Sequence, residues 1–237
     1  MYKNVIIKLS GEALMGDTCV GEYKPYDDAV VMRLIGEIAE AVKAGVSVSL
    51  VIGGGNLWRG RDANPKMVRA KMDHMGMLAT VMNAVYLTEA FALLNTKAVV
   101  MTPFTAGTFT ELYDIDAAKA YLKNGTVVIF AGGSGLPFFS TDTITAVRGK
   151  ELEVEAVLFA KNIDGIYSAN PKTDKSAVKY DALTYDEIIK KDLEAIDISA
   201  ISICKEQRLT SVVFALKDEG SITNAVNGKA LGTVITV

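Results

Sequence analysis

The sequence predicts an α/β fold assembled from βαβ units, and three observations carry that expectation. Short β-branched runs at 5–9, 46–52, 98–101, 127–130, 156–159 and 211–215 alternate with longer stretches of helical periodicity. The 237 residues, 50% of them hydrophobic, supply ample core for one large domain or two closely packed lobes. Three glycine-bearing turns, Lys8-Leu9-Ser10-Gly11, Gly53-Gly54-Gly55-Asn56 and Gly132-Gly133-Ser134-Gly135, each stand where a strand-like run ends. Such turns gather backbone N–H groups at one sheet edge as a cradle for phosphate, and that edge is where open α/β folds bind ligands.

The elements follow in order. After the first run, 27–44 places Val30, Val31, Leu34, Ile38, Ala41 and Val42 on one stripe, opens near an acidic residue and stops at Gly45, so it predicts a helix over one sheet face. A second helix is expected over 68–94. Its Met72, Met75, Met77, Leu78, Met82, Val85, Leu87 and Phe91 are apolar on more than one side, which predicts central burial or a subunit contact, the methionines serving as core or interface filler. Two further helices are expected over 114–123 and 142–152, and Thr184-Tyr185-Asp186-Glu187 has capping-box spacing. The stretches 16–26, 59–66 and 168–179 are polar and long enough to move.

Composition narrows the function classes. A net charge of −3 with 22% charged residues sets up no global field that favours nucleic acid. Cys19 and Cys204 fit no C-x-x-C spacing and read as buried or indifferent thiols of a reducing cytoplasm rather than a disulfide. The opening apolar run is too short for a signal-peptide core, and no stretch reads as the roughly 20 apolar residues of a membrane span, so a soluble, unprocessed chain is expected.

Two common nucleotide signatures fail. Gly11 and Gly16 have P-loop spacing, but Asp17 and Thr18 follow where Lys-Ser/Thr is required; Trp58 and Phe138 stand where a dinucleotide fingerprint needs its third glycine. What remains is Lys8 at the end of the first run, before the Ser10-Gly11 turn. An ammonium there can bridge anionic oxygens of two phosphates while turn amides bind the same charge.

Lys8-Leu9-Ser10-Gly11-Glu12-Ala13-Leu14, Gly53-Gly54-Gly55-Asn56-Leu57-Trp58-Arg59-Gly60 and Asp73-His74-Met75-Gly76-Met77-Leu78-Ala79-Thr80-Val81-Met82-Asn83 together resemble the bacterial UMP kinases of the amino acid kinase superfamily. Pro137-Phe138-Phe139-Ser140-Thr141-Asp142, Asp164-Gly165-Ile166-Tyr167 and Gly232-Thr233-Val234-Ile235 extend the likeness over the whole chain, read as a single domain over 1–237. The resemblance implies a three-layer α/β/α sandwich with a mainly parallel sheet, a cytoplasmic homohexamer, and transfer of the γ-phosphoryl of ATP to UMP with Mg²⁺, UTP acting as feedback inhibitor. It implies ATP contacts from Lys8, Leu9, Ser10, Gly11, Gly55 and Arg59, with Lys161, Asn162, Tyr167 and Asn170 on the adenine and ribose side; the spacing before Asp164 leaves open whether Lys161 or Asn162 faces ATP. UMP would be held by Gly54, Asp73, Ser134, Gly135, Leu136, Pro137, Phe138, Phe139, Ser140 and Thr141. Lys8, Arg59, Asp142 and Asp197 would be catalytic, the two aspartates orienting lysine and organising charge, because an anionic acceptor phosphate has no proton that a base must remove. No protein metal ligand is implied.

Plainer readings stand beside these. His74, the sole histidine, reads as a helix-surface or interface residue, and Asp197 fits a helix cap before Ser199 as well as a site role. Ser134 and Leu136 replace the family's threonine and asparagine, removing a side-chain hydrogen bond that could help read uracil, and Asn170 replaces an aspartate. Thr88, Ala92 and Val99 stand where many members present arginines to a GTP effector. A kinase of the same fold for another small acid or phosphate, or a non-catalytic nucleotide sensor, is the competing reading.

Overall fold

The computed structural model describes residues 1–16, 24–171, 173–229 and 232–237; Cys19 and most of the polar stretch 16–26 lie outside them. The chain forms β1 (Asn4–Leu9), α1 (Asp28–Lys43), β2 (Ser47–Ile52), α2 (Arg69–Leu93), β3 (Ala98–Thr102), β4 (Glu111–Leu112), α3 (Ile115–Lys123), β5 (Val127–Phe130), α4 (Thr141–Glu151) and β6 (Ala156–Lys161). It continues through β7 (Ile166–Tyr167), β8 (Lys179–Tyr180), β9 (Ala182–Thr184), α5 (Tyr185–Lys190), α6 (Ile198–Glu206), β10 (Ser211–Ala215), α7 (Ser221–Val226) and β11 (Thr233–Thr236).

Nine strands form one sheet in the order β4-β3-β5-β2-β1-β6-β10-β11-β9, parallel throughout except for the β10–β11 pair. Period-two alternation sends successive β1 residues to opposite faces. Val5, Ile7 and Leu9 join the core under α1, α2 and α7, and Ile6 joins the core under α3, α4, α5 and α6. Helices on both faces make the expected three-layer sandwich. β7 and β8 form a small antiparallel ribbon, so residues 168–171 and 173–178 lie between its two strands. The stretch 59–66 contains a single 3₁₀ turn at Gly60–Asp62.

Local chemistry explains the helix starts. Asp27 Oδ1 accepts from the N–H groups of Ala29 and Val30 at the head of α1, and Thr184 with Glu187 forms the reciprocal capping box of α5. α2 is the largest departure. By length and composition it could cross a membrane, against the expectation that no stretch would. Here it is a core helix on one side only: Val81, Ala84, Leu87 and Phe91 are buried, whereas Met75, Leu78 and Met82 are exposed. The methionines of α2 are therefore not core filler, and His74 is exposed as expected.

The short α7 receives its cap from another helix. Glu37 of α1 accepts from the backbone N–H groups of Gly220, Ile222 and Thr223 at 3.0, 2.8 and 3.1 Å, where no side-chain cap of α7 itself is present. Glu37→Ala should lower the unfolding free energy by about 2 kcal/mol, the cost of stranding charge-assisted donors, and a Glu37→Gln variant by about half that. Urea unfolding measures both; an unchanged midpoint for Glu37→Ala would contradict this role.

Candidate active site

The strand order brings the C-terminal ends of β5, β2, β1 and β6 side by side, so the three glycine turns and Lys161 share one edge. Contact between the first two turns explains their composition. A Cβ on Gly11 would lie 2.8 Å from the Gly53 carbonyl oxygen and 2.7 Å from the Gly55 nitrogen, both backbone atoms that cannot step aside. On Gly54 it would meet the Gly76 carbonyl oxygen and Ala79 Cβ, each at 2.9 Å, because α2 packs directly on the second turn.

Lys8 lies in β1 in register with Val51 of β2 and Phe159 of β6, and its alternation places it on the α4 side. Only 8% of it is exposed. Its Nζ is 3.1 Å from Oδ1 of Asp142, a charge contact without hydrogen-bond alignment, while Lys161 Nζ donates to Oδ2 of the same carboxylate at 2.8 Å. Asp142 sits in the first turn of α4, which Ser140 caps by accepting from the Thr143 N–H, so the positive helix end adds to the pull on this carboxylate.

Burial and charge compete at both partners. For Asp142, burial opposes ionisation, but the ammonium groups of Lys8 and Lys161 outweigh it and hold the carboxyl below its ordinary value. For Lys8, burial pushes the ammonium below the usual lysine value against the attraction of Asp142; Lys161 adds to the lowering and Asp197 opposes it. Asp197 thus acts on Lys8 through charge. It precedes α6 but offers that helix no side-chain hydrogen bond, so the capping alternative is not what the fold uses.

The residues expected to hold UMP converge on a cavity of about 240 Å³, lined by Gly54, Asp73, Ser134, Leu136, Phe138, Phe139, Ser140 and Thr141. Gly135 and Pro137 shape the turn without lining it. Asp73 accepts from Arg69 Nε at 2.8 Å through one oxygen and from the Phe138 N–H at 3.0 Å through the other. Phe138 has a φ of 72° although it is not glycine, and it is 71% exposed, so the loop holds a strained residue against Asp73.

On the other side of Asp142 two cavities, of about 640 and 430 Å³, share the wall 192–195 and form a trough. Lys161, Asp142, Asp197 and Arg61 line the first; Tyr167 and Asn170 line the second. Lys161 therefore faces this centre, whereas Asn162 is exposed and lines neither cavity. Tyr167 donates to Asp164 at 2.7 Å. The Leu9 side chain is fully buried, leaving only its backbone for a ligand. Arg59 is ion-paired with Glu12 and lies outside the lysine–aspartate cluster. The sequence assigns no role to Glu12, Arg61, Arg69 or the 192–195 segment; the partner of Glu12, Arg59, lies far along the chain. A further cavity of about 800 Å³ shares no lining residue with these and is lined by Thr88, Ala92 and Val99 among others.

The buried charges make a pH signature. Because the folded-state value of Asp142 is depressed, the stability it contributes is full above the unfolded carboxyl value, about 3.9, and is lost as pH falls through the folded value. Because the folded-state value of Lys8 is also depressed, stability rises as pH climbs from that value toward the unfolded one, about 10.4. In Lys8→Met the alkaline rise should vanish, and the acid loss should move to higher pH because Asp142 keeps only Lys161. The difference between variant and parent urea-unfolding profiles, taken from acid to alkaline pH, checks both; superimposable profiles would refute the assignment.

The family model described as the amino acid kinase family matches residues 3–215. Among solved structures, the UMP kinase from Bacillus anthracis superposes with a TM-score of 0.93 at 33% identity, over 99% of this chain and 96% of that one. The UMP kinase from Ureaplasma parvum gives a TM-score of 0.93 at 29% identity over the full length of both chains. With its glycine turns on one sheet edge and Lys8 buried beneath them, the chain belongs to the amino acid kinase family.

Proposed function

We propose that the chain is a nucleoside monophosphate kinase that transfers the γ-phosphoryl group of ATP directly to the phosphate of UMP, giving ADP and UDP. The observation that carries this reading is the adjacency of donor and acceptor sides. Thr141 lines the acceptor cavity, and Asp142, the next residue, anchors the two lysines at the end of the trough. The full-length likeness to two UMP kinases supplies the acceptor class.

ATP lies in the trough, its base toward Tyr167 and Asn170 and its phosphates over the β1 and β2 turns. UMP occupies the smaller cavity, where Asp73 exchanges its present donors for ribose hydroxyls. An oxygen of the UMP phosphate attacks the γ-phosphorus as the bond to the β-phosphate oxygen breaks, and ADP departs with that electron pair. No proton has to be removed from the acceptor. The residues therefore contribute position and charge: Lys8, held in place by Asp142, neutralises charge on the transferring group, and Arg59 exchanges Glu12 for phosphate. Among the described residues no group of three His, Cys, Asp or Glu side chains could cage a metal ion. When bound, Mg²⁺ would supply charge neutralisation to the phosphates beside Lys8 and Arg59. The exposed Met75, Leu78 and Met82 of α2 support assembly with further copies, read as a homohexamer. A cytoplasmic location and feedback by UTP complete the reading.

ADP release with ATP and Mg²⁺, compared across UMP, CMP, dUMP and no acceptor, tests the proposal. Turnover should depend on UMP, and Lys8→Ala should lower kcat by at least about 100-fold. Asp73→Asn should raise the KM for UMP by about tenfold while changing kcat less. Acceptor-independent turnover, or full activity in Lys8→Ala, would overturn the reading.

A further inference from the structure

Two polar side chains on the buried side of α2 contact both glycine turns of the second and third βα units. Asn83 is fully buried. Its amide nitrogen donates to the Gly53 carbonyl and to Asn56 Oδ1, each at 2.7 Å. Its oxygen accepts from Asn56 Nδ2 at 3.1 Å and from the Tyr26 hydroxyl at 3.0 Å. Both donors and both lone pairs of this amide are thereby used. One turn earlier, Thr80 is 5% exposed; its Oγ1 accepts from the Gly132 N–H at 2.7 Å and donates to the Met77 carbonyl at 2.7 Å. Residues three apart share a helix face, so one rigid element holds the Gly53 turn and the Gly132 turn at once.

An apolar pair would pack this helix at lower cost, because each buried polar group must recover its desolvation through hydrogen bonds. What the hydrogen bonds add is direction. They turn the Gly53 carbonyl and the Gly132 amide into the helix, which fixes where the remaining turn amides point. The close approach of α2 to Gly54 leaves no slack between helix and turn.

We propose that Thr80 and Asn83 are positioning residues for phosphoryl transfer: from one helix they fix the donor-side turn at Gly53 against the acceptor-side turn at Gly132, and so set the separation of the reacting phosphates. The inference rests on the kinase reading above. Misplacement by about 1 Å costs on the order of 100-fold in rate without a matching loss of binding.

The decisive variant is Thr80→Val, which keeps shape and removes the hydroxyl, with Thr80→Ser as the conservative restoration. Thr80→Val should lose about 10- to 100-fold in kcat, with calorimetric Kd values for ATP and UMP within about threefold of the parent and a Tm that falls, because the Gly132 N–H loses its acceptor, but stays above the assay temperature; Thr80→Ser should keep the parent rate. Asn83→Ala should act in the same direction, and Thr80→Val carries the test should that variant fail to fold. Parent-like kcat in Thr80→Val, or a loss accounted for by weaker nucleotide binding or unfolding, overturns the inference alone. A parent without UMP-dependent ADP release overturns the kinase reading and this inference with it.

Discussion

Two ammonium groups share one carboxylate beneath the open edge of the sheet, and the arrangement of Lys8, Asp142 and Lys161 sets the terms for everything around it. Buried ion pairs rarely stabilise a fold, because desolvation consumes most of the Coulomb gain. This cluster combines two cations with one buried anion, and burial lowers the proton affinity of Lys8 even so. Such an arrangement is poorly chosen for stability alone. It suits a site that receives more negative charge from a ligand, since phosphate oxygens would complete the neutralisation that Asp142 only begins.

The fold makes that placement possible at low geometric cost. A central parallel strand delivers Lys8 to the edge, the neighbouring strand delivers Lys161, and the capped N-terminus of α4 delivers Asp142 between them. The glycines then let backbone amides come close to the same edge, where any side chain on Gly11 would strike the next turn. α2 spans the remaining distance, touching the second turn through Asn83, the third through Thr80 and the Phe138 loop through Asp73. Charge on one face of the edge and a rigid helix on the other divide the work between electrostatics and alignment.

Much of this was legible in the sequence because it is local. Strand runs followed by glycine turns, the acidic start and glycine stop of α1, and the capping box of α5 are signals confined to a few neighbouring residues, and all appear where expected. Lys8 stood out by its place before the Ser10-Gly11 turn, and Asp73, Asp142 and Lys161 through family motifs; the structure joins Lys8 and Lys161 through Asp142 and sets Asp73 against the Phe138 N–H. What could not be read depends on distant partners. Nothing near Glu12 announces that it holds Arg59, nothing near Asn83 announces that it holds Gly53, and the 192–195 wall carries no motif. The two- and three-residue strands β4, β7, β8 and β9 are too short for periodicity to register. For α2 the sequence left central burial and a subunit contact open: composition marks a residue as wanting cover, and only packing shows that Met75, Leu78 and Met82 are left uncovered by this chain.

The central claim is that donor and acceptor nucleotides meet over the Lys8–Asp142–Lys161 cluster. It is tested most directly by a crystal structure with adenosine and uridine joined through one polyphosphate chain, together with the affinity of that compound relative to ATP. The account predicts tighter binding than ATP alone, uridine in the cavity beside Asp73, adenosine toward Tyr167 and Asn170, and the bridging phosphates within hydrogen-bond reach of the Lys8 ammonium. Affinity no better than that of ATP, or a uridine lodged outside the Asp73 cavity, would contradict it.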